Sequence, residues 1–203
     1  MNEILYDIKK KILGRIYSMG EWHESNWFDR PYCVSVIKEI SNYMQSHYSG
    51  TNRRSFTIVE IGCGCGEIVG NIRAPKNIKM IRYGYDINNN NLKVAKWMYP
   101  KVIFREGTFG DVRFMNVDCL ILINFIHNIN PDMLKKQIYN IILNCDVGLI
   151  VMDNLINVEG TEYMYSHDGN YLFDNRYKMI KKSRGFKASS GARRYITYWK
   201  RGA

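Results

Sequence analysis

The sequence has no C-x-x-C cysteine pair, no apolar run long enough to span a bilayer, no internal repeat and no low-complexity tract. The first absence removes the usual cysteine frame of a zinc site, and an odd total of five cysteines argues against a disulfide scaffold. At 203 residues the chain can bury about 70% of the surface that its unfolded form exposes, so a core can hold it without staples. The segment from Met1 to Tyr17 carries lysines throughout and reads as neither a signal peptide nor a membrane span. The expectation is a cytoplasmic protein with reduced thiols and no bound metal.

Acidic residues are missing from the final segment. From Asn175 onward there are ten basic residues, Arg176, Lys178, Lys181, Lys182, Arg184, Lys187, Arg193, Arg194, Lys200 and Arg201, and no Asp or Glu. Everything before them balances at 19 basic against 19 acidic residues, so the net charge of +10 belongs to the tail. Such a segment is either a solvated helix face with a hairpin edge guarded by lysines, or a field that attracts an anionic acceptor or RNA.

What is present falls into two regions. Residues 1–55 read as an N-terminal helical cap or lid. Ile4, Ile8, Ile12 and Ile16 recur at helical spacing, an aromatic loop carries Trp22, His23, Trp27, Phe28 and Tyr32, and a second helix runs from about Cys33 to His47. Residues 56–203 read as the core. Seven strands are expected, at Thr57–Ile61, Met80–Asp86, Val102–Arg105, Val117–Ile123, Val147–Met152, Gly185–Ala188 and Arg194–Lys200. Helices are expected near Glu67–Ile72, Asn89–Met98, Pro131–Asn144 and Tyr171–Lys182. Strands alternating with helices predict an α/β, doubly wound, mainly parallel seven-stranded sheet, closed by an antiparallel C-terminal hairpin.

In such a sheet the ligand lies beyond the carboxyl ends of the strands, which directs attention to Glu60-Ile61-Gly62-Cys63-Gly64-Cys65-Gly66 after the first core strand. The glycines alternate as G-x-G-x-G. They lack the G-x-G-x-x-G spacing that sets a helix end against a pyrophosphate, and no G-x-x-x-x-G-K-[ST] loop occurs anywhere. With Glu60 opening the motif and Asp86 closing the next strand, the pattern resembles the class I S-adenosylmethionine-dependent methyltransferases from Phe56 to Lys200.

The resemblance implies a methyltransferase with S-adenosylmethionine as cofactor. It implies that Glu60 orients the loop or meets the ammonium group through water, and that Gly62, Cys63, Gly64 and Gly66 line the methionine part and ribose. Asp86 would accept from the ribose hydroxyls, and Ile87 would pack on the adenine. The adenine contact falls at Glu106-Gly107-Thr108, where Thr108 or its backbone replaces the usual acidic residue. Asn124 ends the fourth strand at the crevice.

Transfer to a hydroxyl benefits from a base, which makes the four histidines candidates. His127, three residues past Asn124, is the best placed; its alternatives are packing and capping. His167 and Asp168 fall where this family builds substrate contacts, or they form a polar turn ended by Gly169. His23 belongs to the aromatic loop, and His47 is expected to face solvent. Asn124-Phe125-Ile126-His127 departs from the N-P-P-Y-like run of amino-methylating relatives, and no cysteine after the fourth strand stands in the arrangement that carbon-5 pyrimidine chemistry uses. The expected acceptor is therefore a small molecule, a sugar, a glycan or another anionic metabolite. The alternative is an RNA methyltransferase or RNA-binding protein that uses the basic tail.

Overall fold

The computed structural model describes residues 2–20, 23, 25–48, 55–114, 116–173, 175–188 and 191–202. The chain forms two compact units, Met1–Gly107 and Thr108–Ala203. Among the described residues no helix is long and apolar enough to cross a membrane. The mixed α/β class, with mainly parallel strands and antiparallel strands at the C-terminus, is as the sequence predicts.

The first unit begins with α1 (Glu3–Tyr17), a 3-10 turn (Trp27–Asp29) and α2 (Pro31–Tyr48). It continues with β1 (Ser55–Ile61), α3 (Glu67–Asn71), β2 (Lys79–Asp86), α4 (Asn89–Met98) and β3 (Ile103–Glu106). Its strands run parallel in the order β3-β2-β1, with Glu60 opposite Gly84 and Asp86 opposite Glu106. A parallel strand covered on both faces needs a near-continuous apolar run, which β1 supplies with buried Phe56, Ile58, Val59 and Ile61. Asn88 caps α4 by accepting from the Asn90 and Asn91 amides, so Asp86 is not spent as that helix's cap.

One expectation of the N-terminal region turns over. The helix α1 forms, but Ile4, Ile8, Ile12 and Ile16 remain 49 to 70% exposed. The buried face is Tyr6, Lys10 and Gly14. A Cβ at Gly14 would overlap the Met19 side chain, and Tyr6 and Lys10 reach a buried acid described below. Specific polar partners outweigh the apolar stripe in setting the helix's rotation. Trp22 lies outside the described residues.

The second unit contains a 3-10 turn (Phe109–Asp111), β4 (Asn116–Leu122), a second 3-10 turn (Ile126–Asn128) and α5 (Pro131–Asn144). After it come β5 (Asp146–Ile156), α6 (Gly169–Leu172), β6 (Tyr177–Lys182), β7 (Phe186–Lys187) and β8 (Arg193–Arg201). β4 and β5 are parallel; β8 runs antiparallel to β5 and carries β6 and β7 as antiparallel partners. α5 starts at Asn130, which caps it, with Pro131 in the first position where its missing N–H costs nothing. Its buried face is Leu134, Ile138, Ile141 and Ile142.

Two corrections concern this unit. The helix expected over Tyr171–Lys182 is a four-residue helix, Gly169–Leu172, followed by strand β6, which raises the strand count from seven to eight among the described residues. Only Tyr177 of β6 points inward, where its hydroxyl donates to the Val147 carbonyl at 2.8 Å, and the rest of the strand is exposed. The sequence pattern there is that of an edge strand with guarding lysines rather than a helix face. Strand β5 also extends to Ile156, past the expected end at Met152. That extension places Asp153 inside the sheet.

Candidate active site

In the first unit the loop after β1 is built around three positive-φ glycines, Gly62, Gly64 and Gly66. At Gly66, φ 72° starts α3, and a Cβ would overlap the Phe104 ring. At Gly64, φ 54°, a Cβ would overlap the His23 ring. Both positions therefore need glycine for conformation and for space. The Gly64 N–H donates to Asp86 Oδ2 at 2.7 Å, and the Asn88 N–H donates to Asp86 Oδ1 at 2.8 Å. The residue closing β2 thus holds the middle of the loop after β1. Ile87, next in the chain, is 74% exposed.

Glu60 is buried and accepts from the Val69 N–H at 2.9 Å, fastening the first turn of α3. Burial pushes its carboxyl up to about 8, against that hydrogen bond, which lowers it. The two cysteines of the loop are packing groups. Cys63 faces the bare Cα of Gly84, and Cys65 Sγ lies 3.3 Å from Met19 Sδ. Burial raises both thiols, Cys65 to about 12, so neither is a thiolate at neutral pH.

Glu67, immediately after the loop, is the acid that orients α1. Its Oε1 accepts from Tyr6 Oη at 2.7 Å, Lys10 Nζ at 2.9 Å and the Trp27 N–H at 3.2 Å, and its Oε2 pairs with Arg30. Lys10 is only 1% exposed and also donates to the Ser25 carbonyl at 2.7 Å. Burial lowers the pKa of His23, with Asp86 opposing. The aromatic loop thus packs on the glycine loop through named polar partners. Lys10 and Glu67 do not stand out in the sequence, where the isoleucine stripe puts Lys10 on the apparent outer face of α1.

In the second unit Asn124 follows β4 in the left-handed region at φ 68°, a conformation that asparagine tolerates. Its N–H donates to Asp153 Oδ2 at 3.1 Å, and its Oδ1 accepts from Arg194 Nη2 at 2.6 Å. Asp153 is 0% exposed and Arg194 4%. Arg194 Nε sits 3.3 Å from Asp153 Oδ2, and His127 Nε2 sits 3.9 Å from the same oxygen. His127 is buried with its ring edge-on to Tyr163, 5.0 Å between centroids. Burial lowers its pKa, Asp153 raises it, and Arg194 and His167 lower it.

His167 is likewise buried, and its Nε2 bonds the Ile126 carbonyl at 2.8 Å, while the Tyr165 N–H donates to the His127 carbonyl at 2.9 Å. The two histidines that the sequence singles out are therefore on adjacent, hydrogen-bonded segments. Asp168 is exposed and caps α6 by accepting from the Asn170 N–H at 2.9 Å. Thr108 donates its N–H to Asp111 Oδ2 at 2.7 Å in a reciprocal cap. His47 is exposed and bonds within the end of α2. Asp153 and Arg194 are hidden in the sequence, the first because it lies one residue past the apolar run that ends at Met152, the second because it sits among the charges of the basic tail.

No protein-family model matches the chain, and no curated protein matches it in sequence. Solved structures do match. The N-methyltransferase NodS from Bradyrhizobium japonicum WM9 in complex with S-adenosyl-l-homocysteine has a TM-score of 0.66 at 10% identity, over 96% of this chain and 99% of that one. The magnesium protoporphyrin IX methyltransferase (ChlM) from Synechocystis PCC 6803 with bound SAH has a TM-score of 0.63 at 12% identity, over 83% of each chain. The small RNA methyltransferase HEN1 has a TM-score of 0.59 at 15% identity, over 82% of this chain and 25% of that one. The chain has the fold of the class I S-adenosylmethionine-dependent methyltransferases.

Proposed function

We propose that this chain is an S-adenosylmethionine-dependent methyltransferase acting on a hydroxyl of a sugar, a glycan or another small anionic metabolite. The observation that carries the donor half is the Asp86 carboxylate, which holds the glycine loop at Gly64 with exposed Ile87 beside it. A carboxylate has about four acceptor positions, so Asp86 retains capacity for a pair of ribose hydroxyls while holding two backbone amides. Ile87 offers an apolar surface for adenine, and Gly62, Cys63, Gly64 and Gly66 offer backbone groups along the rest. Glu60 supports the loop from beneath. Thr108 and Asn124 are proposed as further donor contacts on the strength of the sequence motif alone. When bound, S-adenosylmethionine supplies an electrophilic methyl group.

His127 is the proposed base. A hydroxyl acceptor loses its proton as its oxygen bonds the methyl carbon, and burial keeps the imidazole neutral and able to take that proton. Asp153, facing Nε2, offsets the charge that then develops. His167 fixes the neighbouring turn through the Ile126 carbonyl, and Asp168 positions the segment after it. Residues 1–55 serve as the cap over the donor loop in this reading, and 56–203 as the methyltransferase core. Exposed Lys178, Lys181 and Lys182 on β6 supply a positive field for an anionic acceptor.

The same edge supports the second reading, RNA as acceptor. Lys182 Nζ lies 4.5 Å above the Tyr195 ring, a pairing of cation and aromatic that suits a nucleic-acid strand. The two are separated by incubating the chain with methyl-labelled donor and either sugar nucleotides and glycans or RNA. Label in a small hydroxylated product supports the first reading. Label in RNA, with binding that weakens steeply as salt rises, replaces it with the second. Label in neither, against whole-cell extracts as well, removes the enzymatic assignment.

A further inference from the structure

Asp153 Oδ2 is the focus of three groups from three places in the second unit. The Asn124 N–H reaches it from the turn after β4, Arg194 Nε from β8, and His127 Nε2 from the following 3-10 turn. In the β5–β8 register Asp153 pairs with Ile196 and Leu155 with Arg194, so Asp153 and Arg194 lie diagonally on one face of the sheet. Buried ion pairs of this kind add little net stability compared with apolar packing. This one, however, clamps Asn124 at both its backbone N–H and its side-chain oxygen, in a left-handed conformation three residues before His127. His127 Nε2 and Asp153 Oδ1 are both buried atoms without a hydrogen-bond partner among the described residues. One nitrogen that can donate and one acceptor carboxylate therefore face each other, 3.9 Å apart at the nearer oxygen.

We propose that Asp153 and Arg194 are positioning residues for His127, Asp153 selecting the tautomer with its proton on Nε2 and Arg194 neutralising Asp153. The inference rests on the reading of His127 as the base, because that tautomer leaves the Nδ1 lone pair to take the acceptor's proton. Arg194 acts on the charge of the pair. A lone buried carboxylate beside the ring would draw a second proton onto it, and the guanidinium prevents this. The groups acting on the His127 ring are Asp153 from β5, Arg194 from β8, and Glu162 and His167 from the segment between β5 and α6. Asp153 and Glu162 favour protonation; Arg194 and His167 oppose it.

Histidine-selective NMR of the isotopically labelled, full-length chain tests this without any acceptor, with the His127 signals assigned by their loss in His127→Gln. In the unaltered protein at neutral pH, long-range nitrogen–proton correlations should report the Nε2–H tautomer. The Nδ1–H tautomer or an imidazolium there overturns the proposal. On titration, Arg194→Met should raise the His127 midpoint by about one pH unit or more, Asp153→Asn should lower it, and Arg194→Lys should return it toward the original value. An unmoved midpoint in a folded Arg194→Met or Asp153→Asn chain also overturns it. Where neither variant folds, the tautomer in the unaltered protein decides alone. Full turnover by His127→Gln with labelled donor removes the base assignment and leaves the NMR outcomes standing, so the two failures are distinguishable.

Discussion

The glycine loop of the first unit and the His127 cluster of the second carry their polar groups in opposite ways. At the glycine loop the contacts link backbone to side chain: Asp86 to the Gly64 and Asn88 amides, and Glu60 to the Val69 amide. In the second unit they link side chains and a turn brought together from β4, β5 and β8: Asn124, His127, Asp153 and Arg194. The first arrangement holds a loop whose shape is common to many ligands of one kind. The second surrounds a single imidazole with charges that tune it. A cofactor shared by many enzymes suits the first, and chemistry particular to one acceptor suits the second.

The largest expected effect breaks this comparison on the side of the second unit. His127→Gln should lower turnover with labelled donor by about 10²- to 10⁴-fold while leaving S-adenosylhomocysteine affinity within about twofold; equal loss of both would merge the two halves into one site function. Next, Glu67→Gln leaves Lys10 and Arg30 without their counter-charge, and breaking a buried pair costs about 3 to 5 kcal/mol. Chemical denaturation should show that loss in the first unit's cooperative transition. Asp86→Ala should weaken labelled cofactor binding in equilibrium dialysis by about 100-fold, two charge-assisted hydrogen bonds at about 1.5 kcal/mol each, with the fold retained by circular dichroism.

A further expected effect is one of pH. The Glu60 carboxyl sits at about 8 in the folded chain against an ordinary value of 4.5. Between those values the unfolded chain has released a proton that the folded chain keeps, so this group's contribution to stability falls as pH rises from 4.5 to 8. Glu60→Gln is neutral throughout, and its melting temperature should fall less across that window than that of the unaltered protein. Parallel curves would show that Glu60 is ionised when buried.

How much of this was legible in the sequence follows the same division. The E-x-G-x-G-x-G run and the acid closing the next strand are contiguous or one strand apart, and period and spacing expose them directly. His127 and His167 were legible as candidates from their positions after β4 and β5. Their mutual proximity was not, because it depends on the Ile126 and His127 carbonyls meeting the 165–167 segment. Arg194 reads as one of ten tail charges; only the β5–β8 register turns it inward onto Asp153. The isoleucine stripe of α1 misleads for the converse reason, since the partners that decide the helix's rotation, Glu67 and Tyr99, lie 57 or more residues away from Lys10 and Tyr6. The run of lysines at 178–182 has no period that distinguishes an edge strand from a solvated helix, and pairing with β8 makes the choice.

Binding of S-adenosylmethionine by the loop that Asp86 holds is tested most directly by isothermal titration calorimetry of the full chain with S-adenosylmethionine and with S-adenosylhomocysteine. A saturable one-to-one isotherm with both, lost in Asp86→Ala, is the expected result; no heat of binding from either ligand to the folded, unaltered chain would contradict it.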